Sequence, residues 1–383
     1  MRSTTPAGGS LVAFLVTLLL FTAVALSLPL SAAAQAPTVM RWGTFGPLPS
    51  TRKPRAVEGL SDVTAIDASN SSAYALESNG TVWAWGNDPK GQLGDEGESG
   101  DEDDNTAIQV PLPAGVTITA IGEAEFVGIA IDSTGHAWAW GASGPPACLG
   151  SFHGYQLAPT KVPGIANAVA VQGGGHHTIW LLSNGTVEAC GDDEQGQLGV
   201  SGIDGSSKPV QVPGLSDVVE ISAAERTSCA RTASGAVYDW GADWDGQIGN
   251  GETTEGVSTP YRVPLPGPAS EVSCGGNVPG DDYTLAIVEG QVYGWGADAA
   301  GQIGDGSTVE KPSPVATGLH FSNVVASGGT SYGLDASGDV WSWGSSFEGS
   351  LGTGEIGNQP IPTLVDEGVV AISATAHDAI DLH

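Results

Sequence analysis

Residues 63–86, VTAIDASNSSAYALESNGTVWAWG, carry apolar side chains at alternate positions in two short runs, then a polar turn and a third run ending in Trp-Gly. A period of two marks a half-buried β-strand, so this stretch predicts strand, turn, strand, hairpin, strand. The same order recurs in ITAIGEAEFVGIAIDSTGHAWAWG, VVEISAAERTSCARTASGAVYDWG and SNVVASGGTSYGLDASGDVWSWG. Asn79-Gly80 and Asn184-Gly185 are two-residue hairpin signals, because both residue types tolerate positive φ. In TVWAWG, Val82 and Ala84 point one way and Trp83 and Trp85 the other, which predicts a strand buried on both faces.

The glycines that close this signature are Gly43, Gly86, Gly141, Gly191, Gly241, Gly296 and Gly344, seven copies of a unit of roughly fifty residues. After the signature comes Gly-x-[Leu/Ile]-Gly, beginning at Gly91, Gly196, Gly246, Gly301 and Gly349, with a looser ACLG around Cys148. Small residues in AIDAS, VQGGG and ISAAE suit crowded strands near an axis. The N-terminal TVMRWG has a Trp-Gly with no preceding runs, and the C-terminal VVAISATAHDAIDLH has the runs without a Trp-Gly. Joined, the two ends make one more unit. The expectation is an all-β fold, a seven-bladed β-propeller closed by pairing of the N- and C-terminal strands. An open solenoid would instead need polar capping repeats at both ends.

The combination of small-residue strand, hairpin, V-W-x-W-G and G-Q-L-G resembles the regulator-of-chromosome-condensation repeat family over residues 40–383. The resemblance implies a seven-bladed propeller that serves as a scaffold for several binding roles. Nucleotide exchange on a small nuclear GTPase, with chromatin binding, is one such role; a strongly acidic chain with no basic tail departs from what it requires. Ultraviolet-sensing members use tryptophans clustered on one face. Here Trp42, Trp83, Trp85, Trp138, Trp140, Trp240, Trp295, Trp341 and Trp343 lie in or beside the repeat signature and read as core. Secreted bacterial propellers of similar kind inhibit β-lactamases by covering the enzyme with one face of the ring. The longer, unequal loops of this chain do not carry that target over.

Residues 1–34 change the picture of where such a ring works. Their apolar run follows Arg2 and ends in Ala32-Ala33-Ala34, which reads as a signal peptide cut near Ala34. The alternative is a retained anchor, since about 20 apolar residues span a bilayer. Residues 35–39 form a short linker and 40–383 the propeller. A secreted or extracytoplasmic monomer is expected, with no membrane insertion after cleavage. Charge narrows the partners: 43 acidic against 12 basic residues give a net −31, a field that repels nucleic acid and anionic lipid. A protein partner that is basic or neutral, or a cation, fits better; acidity that merely keeps the chain soluble is the alternative.

Cys148, Cys190, Cys229 and Cys274 allow three pairings in an oxidising compartment, and no C-x-x-C spacing suggests zinc. Free buried thiols are the alternative, above all for Cys190, which stands where other repeats carry a Trp. No nucleophile elbow, phosphate loop or H-E-x-x-H occurs, so no catalytic residue and no organic cofactor is expected. His177 in GGGHHTIW occupies the family's habitual His position, held elsewhere by Ser72, Val127, Thr227 and Thr330, and is expected to bond backbone at the turn. His176 beside it faces the channel in one reading. In the loop GDEGESGDEDDNT, Asp101, Asp103 and Asp104 are candidate ligands for Ca²⁺, against the reading of solvated charge. DWDGQIGNGE looks similar but belongs to the repeat. Asn79 and Asn184 start sequons that are hairpin turns first, as Asn70 starts another.

Phe152, Tyr155, Trp244 and Phe347 are aromatics outside the repeat pattern, on loops that leave the ring at comparable places, and are candidate partner-binding residues. The function that follows is a secreted, non-enzymatic scaffold for protein or surface interaction. An inhibitor of an extracellular enzyme such as a β-lactamase is the alternative, ahead of a nucleotide exchange factor, a carbohydrate-active enzyme or a structural role. An enzyme would need carboxylates or histidines converging at the axis, where the repeats place mainly Gly, Ala and Ser.

Overall fold

Each Trp-Gly run becomes the third strand of a four-stranded antiparallel sheet, and seven such sheets form the ring. The computed structural model describes residues 38–43, 51–68, 72–96, 104–150, 154–276, 280–374 and 378–383. The leader at 1–34 therefore lies outside the described residues. In the first blade, Val63–Ala68 is innermost, followed by Ser72–Glu77, Val82–Gly86 and Asp104–Gln109. Blades two to six occupy 118–161, 168–211, 218–262, 269–320 and 323–366. Val82, Ala84 and Trp85 are fully buried, because each sheet is sandwiched between two others.

The seventh blade joins the two ends. Ala371–Ala374 and Asp378–Leu382 supply its inner strands, and Val39–Gly43 and Thr51–Ala56 its outer pair. The seam is antiparallel, from Val39 opposite Leu382 to Gly43 opposite Asp378. Trp42 is fully buried there, donates from Nε1 to the Ser350 carbonyl at 2.8 Å and meets Tyr332 edge-on at 6.0 Å.

Between blades the apolar slabs are shared. Tyr74, Leu76 and Val82 of the first blade pack with Ile118, Ile121 and Trp140 of the second. The buried Trp of one blade also bonds the Gly-Gln-[Leu/Ile]-Gly turn of the blade before it. Trp140 donates to the Gln92 carbonyl at 2.7 Å, Trp240 to Gln197 at 2.9 Å and Trp343 to Gln302 at 2.9 Å. Gly94 makes room for this: it has φ +68°, and a Cβ there would lie 2.7 Å from Trp140 Cδ1.

Three junctions depart from that rule, one of them because the buried Trp85 Nε1 makes no hydrogen bond. Cys148 takes the Gln position of its turn and Cys190 the Trp position of the next blade, and the two form a disulfide with Cα atoms 5.9 Å apart. The free-thiol reading of Cys190 is thereby set aside. Cys229 and Cys274 tie the fourth blade to the fifth, with Cα atoms 6.4 Å apart. At that same junction Trp295 Nε1 donates to the Asp239 carboxylate at 2.7 Å. Asp239 stands where Ala84, Ala139 and Ala189 stand in the first three blades, and burial holds its carboxyl well above the usual carboxylate range.

The hairpins differ in detail from the two-residue form expected. Asn79 keeps an ordinary φ while Gly80 alone is positive at +85°, and Gly80 N–H bonds the Glu77 carbonyl. This is a three-residue loop, a tight turn followed by a left-handed Gly. The Asn earns its place through its side chain: Oδ1 accepts from Thr81 N at 2.8 Å, as Asn184 Oδ1 does from Thr186 N at 3.0 Å.

Candidate partner-binding face

Loops joining first to second strands, and third to fourth strands, leave the ring on one face. That face opens into an axial channel of about 330 Å³, walled by the inner strands. Gly, Ala and Ser make up half of its lining, and Asp67, Glu123, Glu125, Glu220, Glu225 and Glu271 stand among them, carboxylates that the expectation of a mainly Gly, Ala and Ser wall did not include. Each blade contributes only a few residues to the wall, and a carboxylate set among small residues, as in AIDAS, does not disturb the repeat pattern.

Most of the deep carboxylates are spent on holding blades together. Glu220 pairs with Arg231 at 2.5 Å. Glu271 accepts the Val324 N–H of the next blade at 3.1 Å and bonds the Asn323 amide; burial first, then nearby Glu220, push its carboxyl up to about 8. Glu123 accepts from Ser72 across the first junction at 3.0 Å. Asp67 accepts from Ser373 at 3.1 Å across the closing junction, and its enclosure raises it to about 7.

The mouth is different. His176 of the third blade stands between two carboxylates, its Nδ1 3.7 Å from Glu125 of the second and its Nε2 3.8 Å from Glu225 of the fourth. Gly175 leaves the space for Glu225: a Cβ there would lie 1.9 Å from Glu225 Oε2. Burial raises the Glu225 carboxyl above its ordinary value, with Glu125 and Asp281 adding to the shift and His176 and Arg226 opposing it. Arg226 reaches Glu194 at 3.8 Å and Glu225 at 4.0 Å, and its guanidinium lies 6.0 Å from the Trp244 ring centroid. Asp282, 2 % exposed, anchors this corner by accepting from Arg226 N at 3.0 Å and Thr227 Oγ1 at 2.7 Å, and burial raises it to about 8.

Of the residues singled out in the sequence, Trp244 is half-buried and joins the rim through Arg226. Tyr155 is 46 % exposed with Lys90 Nζ 5.2 Å from its ring, and Phe347 is 53 % exposed in the turn Phe347–Gly349. The three stand on three different blades, the fourth, second and sixth. Phe152, Asp101 and Asp103 lie outside the described residues, and Asp104 opens the outer strand of the first blade. His177 is fully buried and shares a 2.7 Å hydrogen bond with Ser228 Oγ of the next blade, in place of the backbone contact expected. Burial pushes its imidazole down to about 3, so it is neutral at ordinary pH. Sequence inspection missed the pairing of Glu125 with Glu225, which equivalent loop positions in ITAIGEAE and ISAAE display. Among the described residues no helix is long and apolar enough to cross a membrane.

The sequence matches the Regulator of chromosome condensation (RCC1) repeat at residues 184–231, 234–278, 289–332 and 337–377, and a second form of that repeat at 63–92. This chain belongs to the RCC1 repeat family. Among curated RCC1 relatives, the ultraviolet-B receptor UVR8 of Arabidopsis thaliana is 29 % identical over 324 residues, 76 % of this chain and 70 % of the receptor. Protein pim1 of Schizosaccharomyces pombe is 29 % identical over 37 % of this chain, and the mouse E3 ubiquitin-protein ligase HERC2 is 28 % identical over 42 %. The RCC1 match spans 27 % of pim1 and 3 % of HERC2. Among solved structures, Prp20p of Saccharomyces cerevisiae superposes with a TM-score of 0.79 at 22 % identity, covering 91 % of this chain and 92 % of that one. Human WBSCR16 gives 0.77 at 17 % identity, covering 91 % and 99 %. At such identities the likeness to these two is one of fold.

Proposed function

We propose that this RCC1 propeller is an exported, non-enzymatic scaffold whose acidic channel mouth docks a basic segment of a protein partner. One observation carries the proposal: Glu125 and Glu225 converge on a single histidine at the rim of a channel in a chain of net charge −31. Crowded carboxylates repel one another, and a Lys ammonium or Arg guanidinium arriving between them relieves the repulsion while forming charge-assisted hydrogen bonds. The field outside the ring speeds the approach of such a segment. Two disulfides between blades and the apolar leader support an oxidising, extracytoplasmic setting. A relative has a protein bound: the yeast RCC1 (Prp20) is solved with Kap60, and that propeller covers 95 % of this chain at a TM-score of 0.79.

The loops on the same face keep enzyme inhibition as a second reading, because exposed Tyr155 and Phe347 could cover a target such as a β-lactamase. The test immobilises the purified chain and presents a panel of basic and neutral extracellular proteins together with several β-lactamases. Saturable binding of a basic protein, weakened by salt, is the expected result. Capture confined to a β-lactamase with loss of its activity would favour inhibition, and salt-independent binding of neutral proteins would contradict the acidic-mouth reading.

A further inference from the structure

The ring closes where the sixth blade meets the seventh, and one residue there breaks the pattern of its own strand. Asp381, on the second strand of the seventh blade, faces Ile372 of the innermost strand. The same register places Ala75 opposite Ile66, Ala130 opposite Ile121, Ala230 opposite Ile221 and Ala286 opposite Val272. A small apolar residue is what the slab accommodates; a carboxylate here is fully buried. Neither of its oxygens accepts a hydrogen bond, although buried carboxylates normally do.

What Asp381 faces is specific. Its Oδ1 lies 3.5 Å from His383 Nε2, and that same nitrogen lies 3.4 Å from Asp366 Oδ2 at the end of the sixth blade's outer strand. His383 Nε2 likewise makes no hydrogen bond, and one donor atom from each of the three residues lies within 4.8 Å of the others. Zinc bonds of about 2.0–2.1 Å to imidazole and carboxylate, arranged tetrahedrally, set neighbouring donors about 3.3–3.4 Å apart. The two separations from His383 Nε2 match that edge, and the two carboxylates lie within 4.8 Å of each other.

We propose that Asp366, Asp381 and His383 form a zinc-class divalent cation site that ties the sixth blade to the seventh. One nitrogen and two carboxylates suit zinc better than Ca²⁺, which takes six to eight oxygens. Asp366 and His383 are half-buried, so water can reach the fourth position. The site also couples to ring closure, because His383 N–H donates to the Thr38 carbonyl at 3.1 Å beside the N-terminal strand. A cation would therefore fasten the last strand of the seventh blade, beside Val39–Gly43, at a seam that, among the described residues, has no disulfide. This inference stands apart from the partner-binding reading.

The purified chain, stripped with a chelator, would be titrated with Zn²⁺ by calorimetry, with Ca²⁺ and Mg²⁺ as comparisons and Co²⁺ as a spectroscopic probe. One Zn²⁺ per chain, a tetrahedral Co²⁺ absorption band, and a melting temperature raised by roughly 4 °C at a hundredfold excess over Kd are expected. Asp381→Ala restores the residue of four other blades, so it should fold while losing uptake, band and shift; His383→Ala should lose them as well. No Zn²⁺-linked shift in the unaltered chain, an equal shift with Ca²⁺, or undiminished uptake by both variants would overturn the site.

Discussion

The blade junctions and the channel mouth are built from the same seven repeats, yet they depart from the repeat in opposite ways. At most junctions a departure has an answering one, although Asp381 and Trp85 Nε1 lack hydrogen-bond partners. Cys190 replaces a Trp and Cys148 replaces the Gln it would have bonded; Trp295 bonds the Asp239 carboxylate rather than a turn carbonyl. At the mouth, Glu125 and Glu225 crowd about His176, and Glu225 keeps a raised pKa although Arg226 lies 4.0 Å away. Departures answered inside the fold hold the ring together. Those left unanswered at an opening point toward something outside it.

The difference should appear as a separation of stability from binding. The largest stability effect is expected from removing the disulfides, which close chain segments of 42 and 45 residues. Cys148→Ser with Cys190→Ser should cost about 4 kcal/mol in denaturant unfolding, by the loop-entropy relation, while the folded variant binds its partner unchanged. Unfolding is the place to look next for Trp240→Phe, which removes the bond to the Gln197 carbonyl and some ring volume. The Gln197 carbonyl keeps its 2.9 Å bond from Ser228, so the loss should be smaller, about 2 kcal/mol.

A third effect follows from Asp282. Its folded pKa of about 8 exceeds the unfolded value near 4, so the fold holds a proton that the unfolded chain releases. Its contribution is fully present below about pH 4 and is lost as pH rises through about 8. Melting temperatures measured between pH 4 and 9 should fall over that window, and Asp282→Asn should flatten part of the fall. The smallest stability effect belongs to the mouth itself: Glu225→Gln removes a charge repelled by Glu125 and Asp281 and should move stability by no more than about 0.5 kcal/mol, in either direction.

The architecture was legible because it is written seven times. Alternation, Trp-Gly and the divided terminal repeat each state the same geometry, and the pairing of Val39–Gly43 with Asp378–Leu382 follows from them. Features written once were harder to see. The cysteine pairing depends on which turn meets which strand across a junction, and spacing along the chain does not encode that. The channel carboxylates sit among small residues that the pattern tolerates. Asp381 was visible in principle, since DAIDLH set against SAYALE places a carboxylate under an Ala. Trp180 is the converse case, a fully buried Trp at the strand position where other blades carry Ala.

The most direct test of the acidic mouth is the affinity of a fluorescent Lys- and Arg-rich peptide for the unaltered chain and for a Glu125→Gln, Glu225→Gln double variant, each with its melting temperature. The predicted result is binding weakened at least about tenfold in the double variant, roughly 1.4 kcal/mol, with the melting temperature held or raised. Equal affinity in the two proteins, with both folded, would contradict the mouth as the binding surface.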